Sequence, residues 1–305
     1  MCIRDRLTDA PDVIGRILAT RELIKTGKRS NIQAVVDAYA GEPFWGVRVE
    51  IAQALSKANS ETAVAGMAQI VAQEQHPMAL AALFHAAGEY RDDRIKDALM
   101  ARLQQNLPYG AAAAAYESLG KQRREAPLQL LLDASRQDSF NGVVQSGALR
   151  GLAQSRSPEA VDPLLERVTF GSTANNARPS AVSALAGIGK GQEKLRREQI
   201  VERLIDLLRD PWYYVHNAAA YGLKQVGDPA AIPALQTYAH RLSHQDRVEV
   251  EEIVDSLRAM DKTDGSTIKK QVVDLRDTIR KLEDRVEKLT AKVEQESATE
   301  IEEKT

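Results

Sequence analysis

The chain has 305 residues, of which 41 are Lys or Arg, 43 are Asp or Glu, and only 5% are aromatic. A formal net charge of −2 argues against a dedicated nucleic-acid binder, because such a domain is normally strongly basic. No apolar run approaches the roughly 18 residues that cross a bilayer, and a single cysteine excludes a disulfide framework or a multi-cysteine metal site.

Residues 1–6 have an unusual sequence. They read Met-Cys-Ile-Arg-Asp-Arg, which resembles the translated sequencing-adapter scar found at the ends of reading frames from assembled environmental DNA. We therefore expect residues 1–6 to lie outside the fold, as a scar or a disordered end. In that case the native N-terminus is missing. The alternative is a genuine short N-terminal arm.

A repeated pattern runs through the chain. Glu42-Pro43 precedes Phe-Trp-Gly-Val-Arg, and Asp210-Pro211 precedes Trp-Tyr-Tyr-Val-His. An apolar residue eleven positions after each opening aromatic marks one unit, and successive markers are 32 to 38 residues apart. These markers, which we call the anchors, are Leu23, Leu55, Ala87, Leu119, Leu152, Leu185, Leu223 and Leu257.

Each unit has the periodicity of two helices. The residue four positions before every anchor is apolar, which is typical of one face of a helix. A second apolar stripe follows each anchor, and in the first unit it consists of Ile32, Val35, Val36 and Tyr39. Glycines that follow the first helix of a unit predict that this helix ends in a turn with positive φ. They are Gly27, Gly88, Gly120, Gly189 and Gly227.

These patterns predict an all-α protein with no strand. A two-helix unit of this size cannot bury its own apolar face, so neighbouring units must stack. We expect residues 7–262 to form a HEAT-like, armadillo-like solenoid, an alpha-alpha superhelix of about eight helix pairs. Residues 263–305 are expected to form a coiled-coil helix with a disordered acidic end.

The predicted coiled coil rests on a heptad seam. Apolar residues alternate at spacings of four and three, with β-branched residues at one heptad position and leucines at the other, a pattern that favours two parallel strands. We expect a weak homodimer through residues 268–293, the alternative being a helix that folds back on the solenoid or docks on another domain. The seam residues are Ile268, Val272, Leu275, Ile279, Leu282, Val286, Leu289 and Val293.

No catalytic chemistry is encoded in a recognisable motif. HExxH, the phosphate-binding loop and the GxSxG elbow are all missing. His240 and His244 have i, i+4 spacing, but the helix is expected to end between them, and a metal site needs further ligands. We therefore predict no catalytic, cofactor-binding or metal-binding residue in this chain, which by itself is not expected to be an enzyme.

Two surface features have two interpretations each. Four aromatic residues either form an exposed recognition cluster or pack between units: Trp45, Trp212, Tyr213 and Tyr214. Packing is favoured because aromatic side chains bury the largest area. Basic residues recur in the turns after first helices, at Lys28 and Arg29, at Lys121 with Arg123 and Arg124, and over residues 190–197. They either face an acidic partner or are solvated turn charges, and the second is favoured.

The run from Glu42 to Leu55, with the repeats after it, resembles the C-terminal helical region of bacterial zinc aminopeptidases of the aminopeptidase N family. The resemblance implies a non-catalytic scaffold that packs on a catalytic domain in cis and helps enclose its peptide site. That domain is missing here, and zinc is expected only in it. The family's HExxH and GAMEN motifs are absent, so no site residue can be assigned.

Two alternatives remain. One is a free-standing HEAT-like adaptor that binds a protein or peptide, because the unit from Val215 to Leu235 also resembles the repeats of bilin lyases. The other, a helical-repeat enzyme with an unrecognised site, ranks last. A cytoplasmic location is expected, with no membrane span and no nucleic-acid partner.

The register yields a direct prediction. Leu119→Asp should remove more than about 4 kcal/mol of unfolding free energy, because it places an unpaired charge in the core. Thermal unfolding followed by circular dichroism measures this. Lys121→Glu, two residues away on the surface, should change stability little. Near-wild-type stability of the Leu119 variant would show that the register is wrong.

Overall fold

A computed structural model describes residues 3–123 and 126–260. The regular structure of these two ranges is helical. The helices are α1 (Ile3–Asp9), α2 (Val13–Lys25), α3 (Arg29–Gly41), α4 (Trp45–Leu55), α5 (Glu61–Gln73), α6 (Pro77–Ala87), α7 (Asp93–Leu103), α8 (Tyr109–Gly120), α9 (Leu128–Ala134), α10 (Val143–Ser155), α11 (Val161–Arg167), α12 (Arg178–Gly189), α13 (Lys194–Leu207), α14 (Tyr213–Val226), α15 (Ile232–Ala239) and α16 (244–260). Short 3-10 turns lie at Phe140–Gly142, Pro158–Ala160 and Pro229–Ala231.

The predicted two-helix register is confirmed. The even-numbered helices from α2 to α16 carry the anchors, and we call them the A helices; the odd-numbered helices from α3 to α15 are the B helices. All eight anchors are at most 1% exposed, and the residues four positions before them are at most 2% exposed. The A helices α2 to α14 each pack on the next, and α3, α5 and α7 do the same in the second layer. The described chain is therefore an all-helical solenoid of HEAT-like units.

The A helices run in one direction. A Cβ atom on Gly147 of α10 would lie 2.4 Å from the Cα of Ala113 of α8, and one on Gly151 would lie 2.5 Å from the carbonyl oxygen of Tyr116. Contacts thus advance together along both helices. The other A helices repeat the same register, so we infer that all of them begin at one edge of the solenoid, the A-start edge, and finish at the other, the A-end edge.

The role predicted for the glycines is wrong at three of five positions. Gly27 and Gly227 have φ of +66° and +77°, as expected for a left-handed helix end. Gly88 has φ of −63°, and Gly120 and Gly189 belong to helices. These three allow close packing instead: a Cβ on Gly120 would lie 2.0 Å from the carbonyl oxygen of Gly151.

The first helix includes residues that we left out of the predicted fold. Arg4 donates hydrogen bonds to Asn31 Oδ1 at 2.6 and 3.0 Å, and Leu7 is 4% exposed. Residues 3–6 therefore form part of a helix against α3, rather than lying outside the fold.

Three buried acids join one unit to the next. Each accepts from an arginine of the preceding A helix and from a backbone N–H at the start of the next one. The acids are Glu42, Glu74 and Asp210, and their arginines are Arg16, Arg48 and Arg178. We call each acid with its arginine a clasp. At Glu42 and Asp210 this explains the acid, Pro and aromatic order noticed in the sequence, because the acid accepts from the backbone N–H of the aromatic residue that directly precedes the helix.

The Glu74 clasp is ionised at neutral pH. Burial disfavours the charged carboxylate, but Tyr39 Oη donates to it at 2.5 Å, His76 N donates at 2.6 Å, and Arg48 lies 3.1 Å away. These interactions outweigh burial and hold the pKa of Glu74 below its ordinary value. Burial and the same hydrogen bond raise the pKa of Tyr39, so the phenol keeps its proton.

Two glycines of α8 form a matched pair for testing helix contact. Gly120→Ala should lower the unfolding free energy by at least about 2 kcal/mol, because the backbone of α10 must shift. Gly110→Ala should be neutral or stabilise by up to about 1 kcal/mol, because nothing lies within 4 Å of the added Cβ. Urea unfolding measures both. Equal effects would contradict the close approach of α8 and α10.

The Asp210 clasp is the most buried one, with Arg178 and Asp210 side chains 1% and 8% exposed. Asp210→Ala should cost about 3 to 5 kcal/mol, because it leaves the Arg178 charge buried without a partner. Asp162→Ala breaks an exposed pair with Arg196 and should cost less than about 1 kcal/mol. Denaturant titration of both variants checks the difference, and a small loss for Asp210→Ala would refute the role of the clasp.

Candidate protein-binding surfaces

The sequence-predicted seam from Ile268 to Val293 lies outside the described residues. Of the histidine pair, His240 follows the end of α15 and His244 begins the next helix, so the two do not share a helix, as predicted. Among the described residues, no group of three His, Cys, Asp or Glu side chains is placed to hold a metal ion. Over the same ranges, no helix combines the length and apolar character needed to cross a membrane.

A row of exposed apolar side chains follows the A-start edge. Each member lies in the first two residues of an A helix or in the loop before it, and their exposed fractions run from 40% to 73%. Units one to seven all contribute. The members of this apolar row are Ile14, Phe44, Met78, Tyr109, Phe140, Phe170, Tyr213 and Tyr214. Isolated exposed apolar residues are ordinary, but a repeated series on one edge marks an interaction surface.

Phe140 and Phe170 are the most exposed members, at 72% and 73%. Their loops touch, because Asn176 Nδ2 donates to Asn141 Oδ1 at 3.2 Å. The guanidinium of Arg178 lies 5.4 Å from the centre of the Phe170 ring. Because Arg178 is fixed by its clasp, it offers Phe170 a rigid cationic support. The two rings thus stand on neighbouring, mutually bonded loops.

The loop that carries Phe140 has an unusual backbone. Asn141 and Gly142 have φ of +53° and +64°, so two successive residues are left-handed. Asn tolerates this region better than most residues, yet the conformation still costs about 1 kcal/mol. Ser139 Oγ accepts from Val144 N at 3.0 Å and fixes the start of α10. The strained turn therefore holds Phe140 in the solvent at the edge.

The aromatic residues of unit seven are divided. Trp212 packs on the core, as predicted, whereas the packing prediction is wrong for Tyr213 and Tyr214, which are 46% and 63% exposed. The Tyr213 ring centre lies 5.5 Å from that of Tyr214 and 5.3 Å from that of His216. Burial lowers the pKa of His216, which therefore stays neutral at pH 7. The edge of this unit is aromatic and carries no histidine charge.

Basic turns at the A-end edge are partly neutralised. Lys121 Nζ lies 2.6 Å from Glu89, and Lys194 Nζ lies 3.8 Å from Glu198. These pairs agree with solvated turn charges. Arg123 remains exposed, and no ion pair joins it to another described residue. An acidic partner stays a hypothesis for the exposed Arg123.

The A-end edge also has a surface cavity between the first two units. Its volume is about 590 Å³, and Ile24, Ile32 and Ala54 contribute apolar atoms to its wall. Lys25 and Lys57, both exposed, lie at its rim. Glu50 also lines the cavity, so charges of both signs lie beside its apolar wall.

Comparisons with known proteins agree with the repeat fold. Residues 144–169 and 215–239 match the PBS lyase HEAT-like repeat family. No curated protein matches the chain. Among solved structures, YibA of Escherichia coli is 13% identical, with 84% of this chain and 91% of that chain covered and a TM-score of 0.48.

Two further solved structures are similar. Human deoxyhypusine hydroxylase in complex with glycerol is 19% identical, with 84% and 95% of the two chains covered and a TM-score of 0.36. The complex of CpcE and CpcF of phycocyanin lyase from Nostoc is 16% identical, with 84% and 93% covered and a TM-score of 0.42. At these identities the likenesses assign no activity to this chain.

Proposed function

We propose that this chain is a non-catalytic HEAT-like scaffold that binds an apolar segment of another protein along its A-start edge. The apolar row is the observation that carries the proposal. Phe140 and Phe170 are its centre, because they are the most exposed members and their loops are bonded to each other.

The energetics favour a bound partner at this edge. Burying one exposed phenylalanine side chain contributes about 1.5 to 3 kcal/mol, so two neighbouring rings supply the core of an interface. The Phe140 loop is also held in a left-handed conformation that costs free energy. A strained loop with an exposed aromatic side chain has no benefit for the isolated solenoid, whereas it preorganises the ring for binding.

A protein partner fits better than a nucleic acid. The net charge of −2 provides no general attraction for a polyphosphate. Apolar and aromatic side chains, by contrast, are enriched at the centres of protein interfaces. The match to HEAT-like repeats adds support, because stacked repeats offer long edges and surfaces for recognition.

A second candidate is the finer interpretation from the sequence, a solenoid that belongs to a zinc aminopeptidase. Its support is the run from Glu42 to Leu55 alone. Genomic sequence upstream of residue 7 distinguishes the two. An in-frame HExxH followed by a further Glu favours the peptidase, and a native start codon near Leu7 favours the adaptor.

The scaffold proposal is tested by selecting ligands from a random twelve-residue peptide library against the immobilised full chain. We expect the selected peptides to be apolar. Phe140→Ser/Phe170→Ser should weaken their binding at least about tenfold, because both rings lose their contacts. Fluorescence anisotropy with the best peptide measures the affinity.

A matched control removes two exposed apolar side chains elsewhere, Leu195→Ser/Met260→Ser, which are 78% and 44% exposed in the wild type. Leu195 lies at the start of α13 and Met260 at the end of α16, both at the A-end edge. Binding should stay within about twofold of wild type. Equal losses in both double variants, or no selected peptide that depends on Phe140 and Phe170, would refute the proposal.

A further inference from the structure

Three exposed arginines occupy the same position in consecutive units of the A-end edge. Each lies four residues after the anchor of its unit, in the turn from the A helix to the B helix. They are Arg91, Arg123 and Arg156, and we call them the arginine row. Because their A helices α6, α8 and α10 stack on one another, the three turns are neighbours.

Buried residues hold the turns that carry the row. The residue before each arginine is buried, and these residues are Tyr90, Gln122 and Ser155. Gln122 Nε2 donates to the carbonyl oxygen of Tyr90 at 2.9 Å, and Tyr90 Oη donates to the carbonyl oxygen of Ala58 at 2.9 Å. The Arg123 turn is therefore tied to the Arg91 turn, and the Arg91 turn to the turn before it. The Arg156 turn is held within itself, because Ser155 Oγ donates to the carbonyl oxygen of Leu152 at 2.7 Å.

The row has no counter-charge among the described residues. No ion pair joins Arg91, Arg123 or Arg156 to an acid within 3–123 and 126–260, although other arginines of the same edge are paired. Asp92 and Asp93, which follow Arg91, pair with Arg94 and Lys96 instead. The charges of Arg91 and Arg156 lower the pKa of Arg123, which places the three guanidinium groups within electrostatic reach of one another.

Two arginines of the row occupy a backbone conformation that favours glycine. Arg123 and Arg156 have φ of +58° and +55°. At the equivalent position of units one and seven, the chain has Gly27 and Gly227, also with positive φ. A side chain in this region costs free energy that glycine avoids. The arginine side chains are thus present despite both backbone strain and mutual repulsion.

We propose that the arginine row binds an extended acidic segment of a partner protein that presents a carboxylate at every third residue. Stacked helices lie about 8 to 10 Å apart, so successive arginines repeat at about that distance. An extended chain rises about 3.3 Å per residue, and three residues span about 10 Å. Each carboxylate thereby meets one guanidinium, which binds carboxylates through paired hydrogen bonds.

A protein segment fits this surface better than a nucleic acid or a membrane. The row supplies one unpaired cation per unit, and the Lys121–Glu89 pair beside it is neutral. Polyphosphates and anionic bilayers are held by a continuous positive field, which this edge lacks. The inference goes beyond the proposed function, because it concerns the opposite edge of the solenoid and different residues.

The test uses the full chain and a labelled peptide of Gly, Ser and Ala with three glutamates, one at every third position. An isomer with three consecutive glutamates has the same charge. Fluorescence anisotropy at low ionic strength should give at least about threefold tighter binding for the spaced peptide. Arg123→Gly/Arg156→Gly should weaken its binding about tenfold and remove the difference between the isomers.

Stability separates lost binding from lost folding. The glycine variant should melt at or above the wild-type temperature, because glycine suits a positive φ. Arg91→Gln, at a residue without positive φ, is a second variant and should weaken binding about threefold. Arg136→Gln/Arg209→Gln removes two arginines at the ends of B helices, on the A-start edge, and should change binding less than twofold.

Several results would overturn the proposal. Equal binding of the two isomers would refute the spacing. If the Arg136→Gln/Arg209→Gln control lost as much affinity as the glycine variant, the net charge of the protein and not the arginine row would explain the binding. Tighter, row-dependent binding of an oligothymidine or of phosphatidylserine vesicles would assign the surface to another class of ligand. None of these outcomes changes the Phe140 and Phe170 test, so the two proposals fail separately.

Discussion

Stacking of the A helices is the constraint on which the rest of the structure depends. No unit buries its apolar face alone, and the closest contact, between α8 and α10, brings helix backbones together at Gly120, Gly147 and Gly151. Close stacking of parallel helices puts equivalent residues of successive units side by side. A single exposed residue per unit thus becomes a row, which is how a repeat protein builds a long surface from short sequence elements.

Buried charge connects this packing to the surface. Each clasp joins the end of a B helix to the preceding A helix and accepts from a backbone N–H directly before the next one, so it fixes the approach of the chain to the next A helix. At Arg178 the same guanidinium also lies over the Phe170 ring. Since an uncompensated charge in the core is costly, the position of the clasp is strongly determined, and so is the ring that it supports.

Periodicity predicted much of the fold because burial repeats with the helix. All eight anchors are buried, because a residue at the same place in each unit lies on the same face of its helix, and that face packs against the neighbouring unit. The glycine rule failed at Gly88, Gly120 and Gly189 for a physical reason. Glycine both permits a left-handed helix end and permits close helix contact, and the sequence pattern does not distinguish the two uses.

The sequence by itself determined the helix pairs and their register, and it showed the acid that precedes the aromatic at the start of an A helix. These features depend on residues that are only a few positions apart. It also showed basic residues in the turns. Only the tertiary structure decided which side chains stay exposed and which align. Phe140 and Phe170 lie 12 and 15 residues before their anchors, off the common spacing, so their loops meet only after stacking. Likewise Lys121 finds Glu89, whereas Arg123 is paired with no described residue, because ion pairing depends on the neighbouring unit.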